Sequence, residues 1–282
     1  MTPPRREQGY AMVAAVAAIA VFALAATMFL HGTERRIDAA QAEQAQAQAA
    51  AAADGVTQMA LAGLLTEDRA FRWSIDGRPR TLSMGKATAE VRIEDERGKV
   101  PLGLLDEESA EQLVAVLGLT DERAAVVRDS LLDWIDDDDD PRPDGAESAY
   151  YASRGYAPRN GTPQSLDELM LVRGFDGALI DRLRGLGTFN FGSGGFDPHF
   201  ANPDAIRVML SRGMETPEVI ERRRALAGQR PAIEIGEPVD LIARPMSIVV
   251  DARTPDGGHA HRVTIVELTG SQARPYVVRA FD

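Results

Sequence analysis

The sequence predicts an α+β fold: a long N-terminal helix packed on a small antiparallel sheet, with a large all-helical insertion interrupting that sheet. Three observations predict it. An uncharged run from Ala11 to Leu30 continues into Thr33–Ala53, which is rich in helix formers and has no Gly or Pro. Strand-like segments lie near 71–94 and again near 246–281. Between about 100 and 235 the apolar period becomes helical.

The N-terminal run matches the roughly 20 apolar residues that a helix needs to cross a hydrocarbon core. Arg5 and Arg6 precede it, so the positive-inside rule keeps the first nine residues in the cytoplasm and exports the chain beyond His31. A cleavable secretory signal has an apolar centre of only about 7–15 residues. The run is too long for that, and helix-forming sequence continues directly from it. One continuous helix of about 40 residues, half in lipid and half in water, fits best. An ordinary single-pass anchor accounts for the run. The Gly9-Tyr10 junction, which closes a short basic leader, also resembles the cleavage point of a type IV prepilin. That class commonly has Glu at the fifth mature position; here the position is Ala14. A carboxylate buried in lipid, costly unless paired, is thereby avoided.

The chain has 282 residues, enough for two compact units beyond the anchor, and 44% are hydrophobic, enough for a core. With no cysteine, packing or metal must hold the fold. The formal net charge of −12 argues against binding a phosphate backbone.

In chain order, Val56, Met59, Ala60 and Gly63 have helical spacing suited to packing on a sheet. Phe71–Thr81 reads as short strands around an Asp76-Gly77 turn. Ala89, Val91 and Ile93 alternate with polar residues in a half-buried strand. Leu113, Val116 and Leu117 share a helical face after Asp106. Thr120 is placed to cap a helix over Asp121–Ile135, with Val126, Val127, Leu131 and Leu132 inward. Ser165 and Glu168 form a capping box for another helix, and Ala178–Leu186 forms one more. Two further helices are expected over Pro203–Arg212 and Pro217–Ala227, the second capped by Thr216. Met246–Ala252 and Arg262–Leu268 make a hairpin across TPDGGHA, and Tyr276–Phe281 supplies a last strand.

The chemistry-bearing stretch is Asp133–Tyr151, DWIDDDDDPRPDGAESAYY. Asp133, Asp136 to Asp140, Asp144 and Glu147 put eight carboxylates in fifteen positions, with Arg142 as the local counter-charge. Two like charges 4 Å apart repel by roughly 1–4 kcal/mol at effective dielectrics of 80 to 20. A hard cation relieves this, since calcium takes six to eight oxygen ligands in an adaptable geometry. A solvated acidic loop is the other reading of the run. The loop is not an EF-hand, because Pro141 stands where that motif needs Gly. Zinc is disfavoured: there is no Cys, and of the four His only His259 and His261 are near each other.

VRIEDERGKVPL, SLLDWIDDDDDPRPDGAESAYY and PQSLDELMLVRGF, in that order behind a prepilin-like leader lacking the usual Glu, resemble the minor pseudopilin K family of type II secretion systems. The resemblance implies a leader over 1–9 cut between Gly9 and Tyr10. It also implies a transmembrane and amphipathic helix over 10–70, a pseudopilin sheet from 71–99 and 236–282, and a helical insertion over 100–235. Further implications are an inner-membrane protein with a cytoplasmic N-terminus and a periplasmic body. It would stand at the tip of a pseudopilus, initiating assembly and supporting export across the outer membrane. The partners implied are minor pseudopilins I and J, the prepilin peptidase and the inner-membrane assembly platform. Calcium is the implied cofactor, with Asp133, Asp136, Asp138, Asp140, Asp144 and Glu147 as candidate ligands. The family's usual strand after the second helix pair is not visible in FNFGSGGFDPHFANPDA, whose glycines predict a looser loop.

Other readings are a minor pilin of a type IV pilus and a membrane protein that binds nucleic acid through a helix-hairpin-helix turn at Gly174. Acid richness and an incomplete hairpin signature argue against nucleic acid. A metal hydrolase needs a nucleophile or general base beside the metal. No such arrangement, P-loop or HExxH is present, so the expectation is a protein that is not an enzyme.

Overall fold

The computed structural model describes residues 6–68, 70–209 and 240–281. Helix α1 is Arg6–Leu64, followed by strands β1 (Arg80–Met84) and β2 (Ala87–Asp95). Strand β3 (Val100–Pro101) leads into the helical region, with α2 (Glu107–Val116), α3 (Asp121–Ile135), α4 (Ser148–Ala152), a 3-10 turn at Leu166–Leu171, and α5 (Gly177–Leu183). Strand β4 (Gly187–Thr188) and α6 (Pro203–Met209) come next, then β5 (Pro245–Arg253), β6 (His259–Leu268) and β7 (Tyr276–Phe281). The five longer strands form one sheet in the order β1-β2-β5-β6-β7. β6 and β7 are antiparallel, Leu268 opposite Tyr276, with an irregularity between Ile265 and Val266. β3 and β4 pair in parallel, Val100 opposite Gly187 and Pro101 opposite Thr188.

The chain divides into two compact units. The first comprises Met1–Val56, Thr81–Ala89 and Asp251–His261. Its buried side chains are mostly alanines: Ala45, Ala49, Ala52 and Ala53 on α1, Ala87 and Ala89 on β2, Ala252 and Ala260 on β5 and β6. Small side chains let backbones approach closely. A Cβ on Gly258 would collide with the carbonyl of Ala45, and the Gln46 amide donates to the His259 carbonyl at 2.8 Å. The turn joining β5 to β6 is closed by Thr254, whose N–H donates to Gly258 and whose hydroxyl accepts from the Gly258 N–H, both at 2.9 Å.

The second unit, Thr57–Arg80, Glu90–Val250 and Arg262–Asp282, contains the helical core. Leu113, Val114 and Leu117 from α2, Val127, Leu131 and Trp134 from α3, and Leu179, Ile180 and Leu183 from α5 are buried together, with Ile206 and Val208 from α6. Side chains cap the starts of α2, α5 and α6: Asp106 accepts from Ser109 N–H and Asp176 from Leu179 N–H, each at 2.9 Å, and Asn202 accepts from Ala205 N–H at 2.7 Å. Gly174 has φ +87°, and a Cβ there would stand 2.9 Å from Val127 Cγ2, so the turn before α5 is packed on α3. Where the helical region leaves and rejoins the sheet, the chain is tied by charge. Arg244 pairs with the fully buried Asp95 and, at 3.0 Å, with Asp197. Glu96 accepts from Lys99 at 2.6 Å and from the Thr188 hydroxyl.

Some expectations need correction, and others lie outside the described residues. Phe71–Thr81 is not strand until Arg80; Phe71 is exposed, and Asp76 makes only an isolated bridge to Glu94. Met59 is exposed, the buried face of that turn being Val56, Ala60, Leu61 and Leu64. Thr120 occupies the cap position of α3 but makes no capping bond through its side chain. The Ser165 helix is a 3-10 turn. Ser165 accepts from Glu168 N–H at 3.3 Å, but the Glu168 carboxylate turns to Gln164 N–H at 3.0 Å rather than completing the box. Among the described residues no helix is long and apolar enough to cross a membrane. The expected span over 11–30 lies in α1, but the side chains of Ala11, Ala25, Thr27, Phe29 and Leu30 lie outside the described residues. The helix expected over Pro217–Ala227 and the end of that over Pro203–Arg212 also lie outside them.

Candidate metal centre

The acidic loop begins where α3 ends. Asp136 is the C-terminal cap, its N–H donating to Leu132 carbonyl at 3.0 Å, and its extended backbone breaks the helix. The chain then bends from Asp136 to Asp138. The returning chain brings Glu147, just before α4, to the same place. One carboxylate oxygen from each of Asp136, Asp138 and Glu147 lies within 4.8 Å of the others.

Glu147 is the centre's most informative residue. It is 3% exposed, and neither carboxylate oxygen has a hydrogen-bond partner. Burial, then the charges of Asp133, Asp136, Asp139 and Asp138, push its pKa up to about 8. Asp136 is also raised, chiefly by burial, although Arg142 pulls the other way, and its Oδ1 is buried without a partner. A buried, unpartnered carboxylate costs stability as an anion. A cation placed among the three removes that cost. An all-oxygen, anionic donor set without nitrogen or sulfur suits a hard cation such as calcium.

The remaining candidates lie outside that group of three. Asp133 is fully buried, but its oxygens accept from Arg142, at 2.7 Å from Nη1 and at 3.3 and 3.2 Å from the backbone N–H. Arg142 also bridges to Asp136 at 2.6 Å. Asp140 is exposed, and its N–H donates to Asp138 Oδ1 at 2.9 Å. The N–H of Asp144 donates to Asp129 Oδ2 at 3.2 Å, which ties the loop back to α3. Asp139 is held below the usual carboxylate range by the Ser148 side chain and by the Ser148 N–H, which donates to it at 3.1 Å. Gly9 and Tyr10 lie in the first turns of α1, their side chains outside the described residues; Ala14 is exposed.

Beneath the loop is an aromatic and ionic floor. Tyr151 is fully buried and meets Trp134 edge-on, centroids 5.1 Å apart. Trp134 Nε1 donates to Glu168 at 3.3 Å, and Glu168 pairs with Arg159. Asn160 Nδ2 donates to the Asp138 carbonyl at 2.6 Å. Reading the sequence as a charge run missed Asp129, Asn160 and Arg173. For Arg173 a signal was present in the LVRG segment, which lies in the motif block that resembles protein K.

Residues 101–188, which contain the whole centre, match the family model described as type II secretion system, protein K. Two curated relatives carry the description type II secretion system protein K. That of Klebsiella pneumoniae is 32% identical over 130 residues, 40% of this chain and 39% of its own. That of Dickeya chrysanthemi is 39% identical over 72 residues, 26% of this chain and 20% of its own. The alignments thus span well under half of either relative. A chain of the crystal structure of the GspK-GspI-GspJ complex from the enterotoxigenic Escherichia coli type 2 secretion system shares the fold. Its TM-score is 0.58 at 17% identity, over 88% of this chain and 98% of that one. The α+β architecture read from the sequence is therefore that of a solved protein in a type II secretion complex, and the carboxylate centre falls in the segment that matches the protein K model.

Proposed function

We propose that this chain is a minor pseudopilin K that stands at the tip of a type II secretion pseudopilus, initiates its assembly and supports protein export across the outer membrane. The match of residues 101–188 to protein K carries the reading. Its partners are minor pseudopilins I and J, a proposal supported by the composition of the complex that holds the fold relative. The apolar side chains of Val16, Ile19, Phe22 and Leu24, all exposed on α1, support an inner-membrane anchor with the body in the periplasm. A prepilin peptidase cuts between Gly9 and Tyr10, and the inner-membrane platform receives the mature chain. The protein works by assembly, without a catalytic step.

The Asp136–Asp138–Glu147 centre holds one structural calcium ion, which supplies positive charge to the buried Glu147 and its two neighbours and ties the end of α3 to the start of α4. Binding only to the folded state stabilises it by mass action. The test of the assembly reading is co-expression of the full chain with the I and J proteins of its own system and the peptidase. Co-purification of all three, loss of residues 1–9 from this chain, and failure of secretion when its gene is deleted are expected. Normal secretion in the deletion strain would overturn it.

A further inference from the structure

The segment after the Leu166–Leu171 turn reaches back to the acidic loop through one side chain. Arg173 Nη1 donates to the carbonyls of Gly145 at 2.9 Å and Asp144 at 3.3 Å. Its backbone N–H donates to the Tyr151 hydroxyl at 3.2 Å, and its guanidinium carbon lies 5.1 Å from the Tyr150 ring centroid. Asp144 and Gly145 precede Glu147, and Tyr150 and Tyr151 come after it. Arg173 therefore grips the chain on both sides of the buried carboxylate.

We propose that Arg173 is a positioning residue for the cation centre: by holding residues 144–151 from both ends it keeps Glu147 turned inward toward Asp136 and Asp138, and so sets the calcium affinity without touching the ion. The inference rests on the calcium reading above. Its physical basis is that a buried carboxyl group with no hydrogen-bond partner turns toward water unless its backbone is fixed. Outer residues that orient a metal ligand commonly change affinity 10- to 100-fold when removed. The guanidinium's planar fork also serves two carbonyls at once, which an ammonium does less well.

Charge alone predicts the opposite sign. Arg173 is a cation near a cation site, so deleting its charge without loss of positioning tightens calcium binding. The experiment is calorimetric titration of calcium chloride into the chelator-treated full chain in detergent, for wild type, Arg173→Met, Arg173→Lys and Glu147→Gln. Positioning gives a Kd about 10- to 100-fold weaker in Arg173→Met, with Arg173→Lys in between. Equal or tighter binding in Arg173→Met overturns the inference while leaving the calcium centre standing. Should Arg173→Met not fold, Arg173→Lys decides: weakened binding supports positioning, and wild-type affinity overturns it. No calcium binding by wild type, or unchanged binding in Glu147→Gln, overturns the calcium reading and the inference with it.

Discussion

Arg142 holds Asp133 with two different groups, its backbone N–H and its guanidinium, and so neutralises a carboxylate that is fully buried at the end of α3. The same guanidinium reaches Asp136. Arg142→Gln leaves the Asp133 charge buried with only the backbone donor. Breaking a buried pair in this way typically costs about 3–5 kcal/mol. Chemical denaturation of the purified chain without calcium is expected to show a loss of that order.

The calcium-free protein should lose stability as pH rises. Glu147 has a folded-state pKa of about 8 against an ordinary 4.5, so between those values the folded state binds more protons than the unfolded one. Its contribution is therefore fully present below pH ~4.5 and is lost as pH approaches ~8, by on the order of 2–4 kcal/mol. Glu147→Gln should flatten this slope. Denaturation midpoints at pH 5, 6.5 and 8 in chelator measure it; a slope unchanged by the substitution contradicts the assignment.

Gly145→Ala is expected to destabilise by about 1–3 kcal/mol, because its Cβ would collide with the Asp133 carboxylate in a packed site. Gly177→Ala, at the start of α5 with open space around it, should be neutral or stabilising by up to about 1 kcal/mol. Thermal melts of the two variants should move in opposite directions or differ by several degrees.

Arg244→Met should cost about 3–5 kcal/mol by stranding Asp95, and the double variant with Asp95→Asn should recover part of the loss. Additive effects in the double-variant cycle would show that the two residues do not interact.

The helical region was legible because its signal is local and periodic. Leu113 and Leu117, or Val127 and Leu131, recur at helical spacing and are buried together. The β5–β6 hairpin was legible because Pro, Asp and two Gly leave few other conformations. Phe71–Thr81 was misread because its composition suits a strand whereas its placement depends on the end of α1, where Trp73 N–H donates to Gly63 carbonyl at 3.1 Å. In the candidate centre, the sequence located the loop but could not rank its carboxylates. Asp133 and Glu147 are both buried acids, and only the fold shows that Arg142 occupies the first while the second has no partner. The LVRG motif contains Arg173, but its partners are backbone carbonyls 28 and 29 residues away, so nothing in the sequence tied it to the acidic loop.

The short parallel pairing of β3 with β4 sets Pro101 opposite Thr188, the two ends of the segment that matches protein K. Paired strands lie about 4.8 Å apart, so the segment enters and leaves through a narrow gate. The backbone thus holds the two termini of that segment together, and α6, which follows Thr188, completes the same buried core.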